Sequence, residues 1–446
     1  MMDSVQQGFD LRRSVRELVG HAAETENEDA LVERIATDVR SRLLFEPGGD
    51  GRQAQAESLV NEAIDQVALQ RELRHEPFDS GAVRQKVLQK VLGLGVIDEY
   101  RAMPGVTEVI FNGTRSAWVY RGDERLAVPP LGAEELSRAV ELLLRESGQT
   151  IGPLNPLVDA RLGDSRLRIN IVDKSINQSG YGITLRVFPE KPLSLDELVE
   201  RGTLSTQAAE FLMAMQEAHA NMVIAGGTSS GKTTTLCALT DRIPGSERVI
   251  FIENPAELPH ANPNHTVWET RKASSEGGRT VTVGELIVNA MRARPDRIVV
   301  SEVRDGAALE MMEAMGTGHE GSYTTLHAND ARDVFQRLLS LMYMGMRHDM
   351  PQRMLTYKLY SALDLVIFQR EVREPVGDGH WRVHRQVTEI DVVSGLDRST
   401  GQVQTGELFR YDGEGLRCLG GELSPRLIER CRKYGVPVPR LLREGA

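Results

Sequence analysis

The sequence predicts an α/β fold whose carboxyl-terminal part is a parallel sheet with helices on both faces. After residue 220, short apolar runs alternate with segments of helical spacing, and this alternation is typical of parallel sheets. Between residues 106 and 188, apolar residues recur with period two, which indicates half-buried strands and a smaller α+β amino-terminal domain. Residues 1–91 carry helical spacing and are expected to form a helical amino-terminal extension.

Composition limits the number of domains and the class of function. A chain of 446 residues is too long for one ordinary core and predicts two or three domains. Nucleic acid is not an expected partner, because the net charge of −11 leaves little room for the basic face that such a partner needs. The three cysteines lie far apart, which favours a reducing compartment over a disulfide framework or a zinc site. No apolar run is long enough for a transmembrane segment, so membrane contact is expected through partners.

Apolar residues three and four positions apart predict the amino-terminal helices. The spacing recurs in four segments, at residues 11–19, 31–39, 58–73 and 83–91. The run FEPGGDGR at Phe45–Arg52 is rich in helix breakers and is interpreted as a linker. A solvated hairpin that packs on its own domain and an arm that docks a partner explain residues 1–44 equally well. The predicted domains are residues 1–91, 92–190 and 191–446.

Four arginines stand out in the strand-rich part of the predicted α+β domain. They are Arg161, Arg166, Arg168 and Arg186, and a proline-marked connector near Pro192 follows them. Guanidinium groups bind phosphate with two parallel hydrogen bonds, so some of these side chains could cap a nucleotide from a neighbouring domain or subunit. Solvent-facing strand positions are the alternative interpretation for each of them.

The segment Val223–Leu239, VIAGGTSSGKTTTLCAL, contains the P-loop pattern G-x-x-x-x-G-K-[ST] between an apolar strand and a helix. Backbone amides can approach a phosphate only where no Cβ intrudes, and the following helix points its free N–H groups at the anion. Lys232 is expected to bridge the β- and γ-phosphates, and Thr233 to take one position around Mg²⁺. The residues expected around the nucleotide are Gly227, Thr228, Ser229, Ser230, Gly231, Lys232, Thr233 and Thr234.

Two acidic residues close predicted apolar strands after the P-loop. Glu253 follows the strand Arg248–Ile252, and Glu302 follows the strand Arg297–Ser301. In an open α/β sheet the ligand lies outside the carboxyl ends of the strands, so both carboxylates are expected near the phosphates. Solvated strand-edge positions are the alternative. With the P-loop present, Glu302 is the better candidate for holding Mg²⁺ or orienting the attacking water.

Two histidines stand eight positions apart in the segment Gly316–Asn329, GTGHEGSYTTLHAN. A metal pair is one interpretation, but no third ligand of matching spacing is apparent. A strand predicted over Ser322–Leu326 would instead place His327 beside the P-loop. There it could gain or lose a hydrogen bond to the γ-phosphate on hydrolysis.

The carboxyl-terminal part is expected to add a hairpin and a helix. Leu365–Arg373 and His380–Val393 read as strands around the turn at residues 377–379. The tail Ser424–Arg443 reads as a short helix, and a solvated face is the default interpretation of its basic charge.

With these motifs the chain resembles the type II/type IV secretion ATPase superfamily, and most closely its Tad-pilus branch typified by CpaF. Four ordered blocks carry the resemblance: GGTSSGKTT at Gly226–Thr234, IENPAEL at Ile252–Leu258, RPDRIVVSEVRD at Arg294–Asp305 and GTGHEGSYTTLHAN at Gly316–Asn329. Upstream, VTEVIFNG and PLVDARL resemble the amino-terminal domain of that branch. Members of the superfamily are hexameric motors of pilus assembly and conjugation machines.

The resemblance implies a RecA-like P-loop carboxyl-terminal domain and an α+β amino-terminal domain, with ATP and Mg²⁺ bound between them in a homo-hexamer. It implies that Glu302 is the Walker B acid that supports attack by water and that Glu253 assists this attack. Arg168 and Arg186 match amino-terminal arginines that reach the nucleotide. Arg271 and Arg294, together with Arg292 and Arg304, match candidates for interface or finger contacts. The implied protein is cytoplasmic and works at the inner face of the cell membrane through an inner-membrane platform protein.

Three positions depart from the pattern of the superfamily. Asn254 stands where an acid is usual, Ser229 replaces a common loop glycine, and Ser301 replaces the glycine before Glu302. Phosphate binding then requires an unstrained φ at Ser229. These departures leave a nucleotide-gated scaffold without turnover as the main alternative to a motor. A RecA-like DNA motor is a further alternative, whereas a GTPase would need an N-K-x-D motif that does not follow the P-loop.

Overall fold

The computed structural model of the chain separates into two compact units. The first comprises Met1–Ala160 and Ile169–Leu185, and the second comprises Arg161–Arg168 and Arg186–Ala446. The described residues are 28–43, 52–73, 78–122, 124–162, 167–188, 191–256, 258–271, 278–346, 348–377, 380–397 and 399–441. The helix expected within residues 11–19 lies outside them. The division into three domains, with boundaries at 91 and 190, stays a prediction.

The first unit combines helices with most residues of a six-stranded sheet. Its helices are α1 Glu28–Leu43, α2 Arg52–Leu73, α3 Ser80–Leu92, α4 Val96–Ala102 and α5 Ala133–Ser147. Its strands are β1 Val106–Asn112, β2 Ala117–Arg121, β3 Glu124–Val128, β4 Leu157–Leu162, β5 Leu167–Val172 and β6 Gly182–Val187, in the order β3-β2-β1-β6-β5-β4. Helices α1–α3 share a core that includes Ile35, Val60 and Val87. This is the α+β arrangement with preceding helices that the sequence predicts.

The second unit is built on a nine-stranded sheet of order β15-β14-β13-β12-β7-β11-β10-β8-β9. Its strands are β7 Met222–Gly226, β8 Val249–Glu253, β9 His265–Glu269, β10 Arg297–Val300, β11 Tyr323–His327, β12 Leu365–Gly377, β13 His380–Leu396, β14 Val403–Tyr411 and β15 Leu416–Cys418. Its helices are α6 Leu195–Glu200, α7 Thr206–Glu217, α8 Lys232–Thr240, α9 Val283–Ala290, α10 Ala307–Gly316, α11 Asp333–Gly345, α12 Gln352–Ala362 and α13 Pro425–Lys433. The six strands from β12 to β9 run parallel, and β13 to β15 continue the sheet antiparallel.

The central strand β7 shows why this sheet is covered on both faces. All five of its residues are buried, as expected for a parallel strand between two layers of helices. Met222 and Ile224 belong to one core, and Val223 and Ala225 belong to the other, because successive side chains point to opposite faces. The predicted RecA-like α/β fold with a P-loop is thereby confirmed.

The carboxyl-terminal elements differ in length from their predictions. Strands β12 and β13 pair antiparallel as expected, but they run on to Gly377 and Leu396. Helix α13 ends at Lys433 rather than continuing to Arg443, because Gly435 adopts a positive φ of 70° and Pro437 lies two residues further on.

The interpretation of the basic face of α13 as a solvated surface was wrong for Arg426 and Arg430. Nε of Arg426 donates to Oδ1 of Asp364 at 2.7 Å, and Nη2 of Arg430 lies 3.3 Å from Oδ2 of the same carboxylate. Asp364 also accepts a hydrogen bond from the backbone N–H of Asn221 at 2.8 Å. Ion pairs therefore join the helix to Asp364, and a hydrogen bond joins Asp364 to the residue before β7.

Candidate nucleotide site

The loop between β7 and α8 requires glycine at two positions. Gly226 has a φ of 154°, and a Cβ there would lie 1.9 Å from the carbonyl oxygen of Gln369. Gly231 has a φ of 93° and forms the amino-terminal cap of α8, where a Cβ would lie 2.8 Å from Nε2 of Gln369. A Cβ at Gly226 would therefore displace the backbone of strand β12, and a Cβ at Gly231 would displace the Gln369 side chain and strain the positive φ.

Hydrogen bonds within the loop converge on the carbonyl group of Gly227. Oγ of the buried Ser230 donates to it at 2.9 Å, and Nζ of Lys232 donates to it at 2.7 Å. Gly227, Thr228 and Ser229 are exposed, so the outer arc of the loop is open to a ligand. Among the remaining predicted contacts, Thr233 is exposed and Thr234 is half-buried in the first turn of α8.

Ser229 does not have the unstrained φ that phosphate binding was expected to require. Its φ is 60°, in the left-handed region that L-residues with a Cβ adopt rarely. The serine therefore occupies a conformation that glycine would adopt more easily.

Lys232, Glu302 and His327 meet at the carboxyl ends of neighbouring strands. His327 is the last residue of β11 and pairs in register with Gly226, while Glu302 follows the end of β10. Nδ1 of His327 lies 3.5 Å from Nζ of Lys232, and Nε2 lies 3.2 Å from Oε1 of Glu302. The imidazole thus lies between an ammonium and a carboxylate.

Burial and charge set the protonation of this cluster. Burial lowers the pKa of Lys232, Arg304 acts in the same direction, and the Glu302 carboxylate opposes them. Burial also lowers the pKa of His327 below its usual value of 6.5, with Glu302 opposing and Lys232 and Arg304 reinforcing the shift. The imidazole is therefore neutral at neutral pH.

Glu302 has one carboxylate oxygen that is paired and one that is not hydrogen-bonded. Oε2 accepts from Nη2 of Arg304 at 2.7 Å. Oε1 is buried and accepts no hydrogen bond within the described part of the chain. Nε2 of His327 lies near this oxygen but is not hydrogen-bonded to it. A buried carboxylate oxygen of this kind suits a cation or a water molecule. Together with the exposed Thr233 hydroxyl, it fits the two oxygen ligands expected for Mg²⁺.

Glu253, at the end of β8, is engaged by two neighbours. Its Oε2 accepts from the backbone N–H of Leu258 at 3.0 Å, and its Oε1 lies 2.7 Å from Nε2 of His260. The Glu253 and His260 side chains are only 1% and 5% exposed, and the imidazole stacks on Phe251 with a centroid separation of 3.7 Å. The sequence did not indicate His260, because histidine at a loop position carries no motif of its own.

The hairpin β12–β13 adds two side chains to the loop that sequence reasoning missed. Gln369 is buried and pairs in register with Gly226, and its Oε1 accepts from Oγ1 of Thr235 at 2.8 Å. Nε of Arg385 donates to the carbonyl oxygen of Ser229 at 3.0 Å. Both residues lie more than a hundred positions downstream, so only the sheet topology could reveal these contacts.

The other predicted arginines that the structure describes lie on several elements, and Arg166 lies outside the described residues. Arg168 and Arg186 belong to strands β5 and β6 of the six-stranded sheet. Arg271 forms an isolated bridge with Val281, and Arg294 is exposed with a φ of 54°. Contacts of these four arginines with a nucleotide or another subunit stay predictions.

A protein-family model matches more than half of the chain. Residues 152–406 fit the model described as type II/IV secretion system protein. The chain belongs to this family. The matched range includes the phosphate loop and both strand-end acids, Glu253 and Glu302. None of the helices within the described ranges is long and apolar enough to cross a membrane.

Proteins of conjugal transfer and of type IV secretion are similar to the chain in sequence. A putative conjugal transfer protein of Mycobacterium tuberculosis is 29% identical over 335 residues, covering 73% of this chain and 91% of the relative. The type IV secretion system protein VirB11 of Bartonella henselae is 31% identical over 255 residues, covering 50% of this chain and 71% of VirB11.

Solved structures of ATPases also align with the chain. The VirB11 ATPase of Brucella suis aligns with a TM-score of 0.35 and 25% identity, over 67% of this chain and 92% of that chain. The ATPase DotB of Legionella pneumophila aligns with a TM-score of 0.48 and 19% identity, over 65% of this chain and 79% of that chain. The narrower resemblance to the Tad-pilus branch stays a prediction.

Proposed function

We propose that this member of the type II/IV secretion family is a Mg²⁺-dependent ATPase that works as a homo-hexameric motor. It would power assembly of a Tad or type IV-like pilus, or of a type II/IV secretion machine. The observation that carries the proposal is the meeting of Lys232, His327 and Glu302 beside a glycine-bounded phosphate loop. We place the protein in the cytoplasm, working on an inner-membrane platform protein.

The chain's own residues supply positioning and charge, which are most of what phosphoryl transfer requires. The loop amides and the Lys232 ammonium bind the phosphates. Thr233 and Glu302 would hold Mg²⁺, which when bound neutralises charge on the β- and γ-phosphates. Glu302 also orients the attacking water with its buried Oε1, and the neutral His327 ring contacts both the lysine and the acid.

A nucleotide-gated scaffold is the second candidate, and the environment of Glu253 favours it. Both carboxylate oxygens of Glu253 accept contacts from neighbouring groups, and Asn254 follows where the family usually has an acid. A chain in which Glu253 stayed so engaged would bind ATP and change conformation without turning it over.

Steady-state phosphate release from MgATP, with the mass in solution measured in parallel, separates the two candidates. A motor predicts turnover by a species near six times the subunit mass of 49.5 kDa, and loss of that turnover in Glu302→Gln. Glu313→Gln is the matched control, because Glu313 lies on α10 and pairs with Lys358 instead. Tight ATP binding without turnover in any assembly state would instead support the scaffold.

A further inference from the structure

Ser229, in the middle of the phosphate loop, has an unfavourable backbone conformation and accepts a hydrogen bond from an arginine distant in sequence. Ser229 adopts a φ of 60°, and the left-handed region is disfavoured for any residue with a Cβ. The only charged side chain that donates to this residue within the described ranges is Arg385, whose Nε bonds to the Ser229 carbonyl oxygen at 3.0 Å. We propose that Arg385 is a positioning residue that holds Ser229, and with it the phosphate loop, in the conformation that binds nucleotide.

The sheet places Arg385 for this role. Strand β13 pairs with β12, and Val387 is the register partner of Gln369, which itself pairs with Gly226 at the start of the loop. Arg385 lies two positions from Val387 and therefore projects on the same face of the strand. Its stem also reaches the loop: Cδ would lie 3.2 Å from a Cβ at Gly231.

The hydrogen bond acts on the orientation of a peptide group. Fixing the Ser229 carbonyl fixes the plane of the Ser229–Ser230 peptide, and so the direction of the Ser230 N–H that a phosphate would meet. Without the bond, Ser229 would relax toward a right-handed conformation and turn that N–H away. Glycine at this position would hold the loop geometry without such help, because it has no Cβ penalty in the left-handed region.

The proposal rests on nucleotide binding at this loop, and a double-mutant cycle tests it. Wild type, Ser229→Gly, Arg385→Met and the double variant are titrated with a fluorescent methylanthraniloyl-ATP and MgCl₂, as the full chain. In the Ser229 background, Arg385→Met should raise the Kd about tenfold, equivalent to roughly 1.4 kcal/mol. In the Ser229→Gly background the same change should raise it less than about threefold, because coupled residues are non-additive.

A conservative variant separates the hydrogen bond from the charge. The amide nitrogen of Arg385→Gln sits at the position of the arginine Nε, so this variant keeps a donor and loses the cation. It should bind nucleotide within about threefold of wild type if positioning is the role. Arg373→Met on the same hairpin, which removes an exposed arginine paired with Glu371, should leave the Kd unchanged.

Three results would overturn the proposal. Equal losses from Arg385→Met in both backgrounds would show that Arg385 acts independently of Ser229. A loss in Arg385→Gln as large as in Arg385→Met would assign the effect to charge on the nucleotide. A lowered melting temperature with unchanged Kd would mark Arg385 as structural only. A wild type that binds no nucleotide would instead refute the proposed function itself.

Discussion

Nε2 of His327 lies 3.2 Å from Oε1 of Glu302, and Nδ1 of the same ring lies 3.5 Å from Nζ of Lys232. One imidazole thereby contacts both the residue expected to bind the phosphates and the residue expected to orient water. A change at the γ-phosphate that moves Lys232 can reach Glu302 through this ring. We propose on this geometry that His327 is part of the chemical site.

Replacing His327 should affect turnover more than binding. His327→Gln is expected to lower kcat at least about tenfold, because the contact between lysine and acid is lost, with little change in the Kd for ATP. In the wild type, kcat should fall as the pH drops through the pKa of His327, which lies below 6.5, since protonation adds a cation beside Lys232. The pH profile of kcat checks this, and an unchanged acid limb in the variant would contradict it.

Gly226→Ala should disrupt the phosphate loop. The added Cβ would meet the Gln369 carbonyl oxygen at 1.9 Å, and this backbone neighbour cannot move away without breaking the pairing of β7 with β12. We expect loss of nucleotide binding and a free energy of unfolding lowered by about 1–3 kcal/mol. Gly227→Ala is the stability control, because a Cβ there meets nothing within 4 Å, and its unfolding free energy should change by less than about 0.5 kcal/mol. Equal stability of the two variants in chemical denaturation would contradict the clash.

His260→Ala should leave Glu253 buried without one of its partners. The lost contact at 2.7 Å predicts a free energy of unfolding lower by about 1–3 kcal/mol and reduced turnover. His260→Gln keeps a donor and should retain more of both. His348→Ala removes an exposed histidine outside this cluster, and it serves as the control. Turnover that is the same in all three variants would show that His260 does not position Glu253.

Asp391 predicts a pH dependence of stability. Burial first, and then the charges of Glu389 and Glu407, raise the pKa of Asp391 to about 7. In the folded state the group holds its proton up to that pH, whereas the unfolded chain releases it near 3.8, so stability falls as the pH rises between these values. Asp391→Asn should therefore gain melting temperature over wild type at pH 8.5 but not at pH 3.5. An equal difference at both pH values in thermal unfolding would contradict the shift.

The sequence predicted those parts of the site that are formed by residues close together in the chain. The strand, loop and helix around Lys232 are contiguous, and the strands that end at Glu253 and before Glu302 are short apolar runs. Strand β11 was expected one residue earlier than its observed range at Tyr323–His327. Parallel strands place their carboxyl ends at one edge of the sheet, so the meeting of these residues could be predicted from the strands alone.

The contacts that the sequence did not predict are long-range. Gln369 and Arg385 reach the loop only because β12 pairs with β7 and β13 pairs with β12. The basic face of α13 was wrongly predicted to be solvated because the counter-ion of Arg426, Asp364, lies outside the helix and 62 positions earlier. The hydrogen bond to the Ser229 carbonyl oxygen could not be anticipated because its donor, Arg385, lies on this downstream hairpin.

The most direct test of the central claim is nucleotide binding and MgATP hydrolysis by wild type and Lys232→Ala. Lys232 is the buried cation of the loop, so its loss should abolish turnover and weaken binding of ATP at least about tenfold. Lys358→Ala, which removes a lysine on α12 that pairs with Glu313 on α10, should behave as wild type. Undiminished hydrolysis by Lys232→Ala would contradict the assignment of this loop as the nucleotide site.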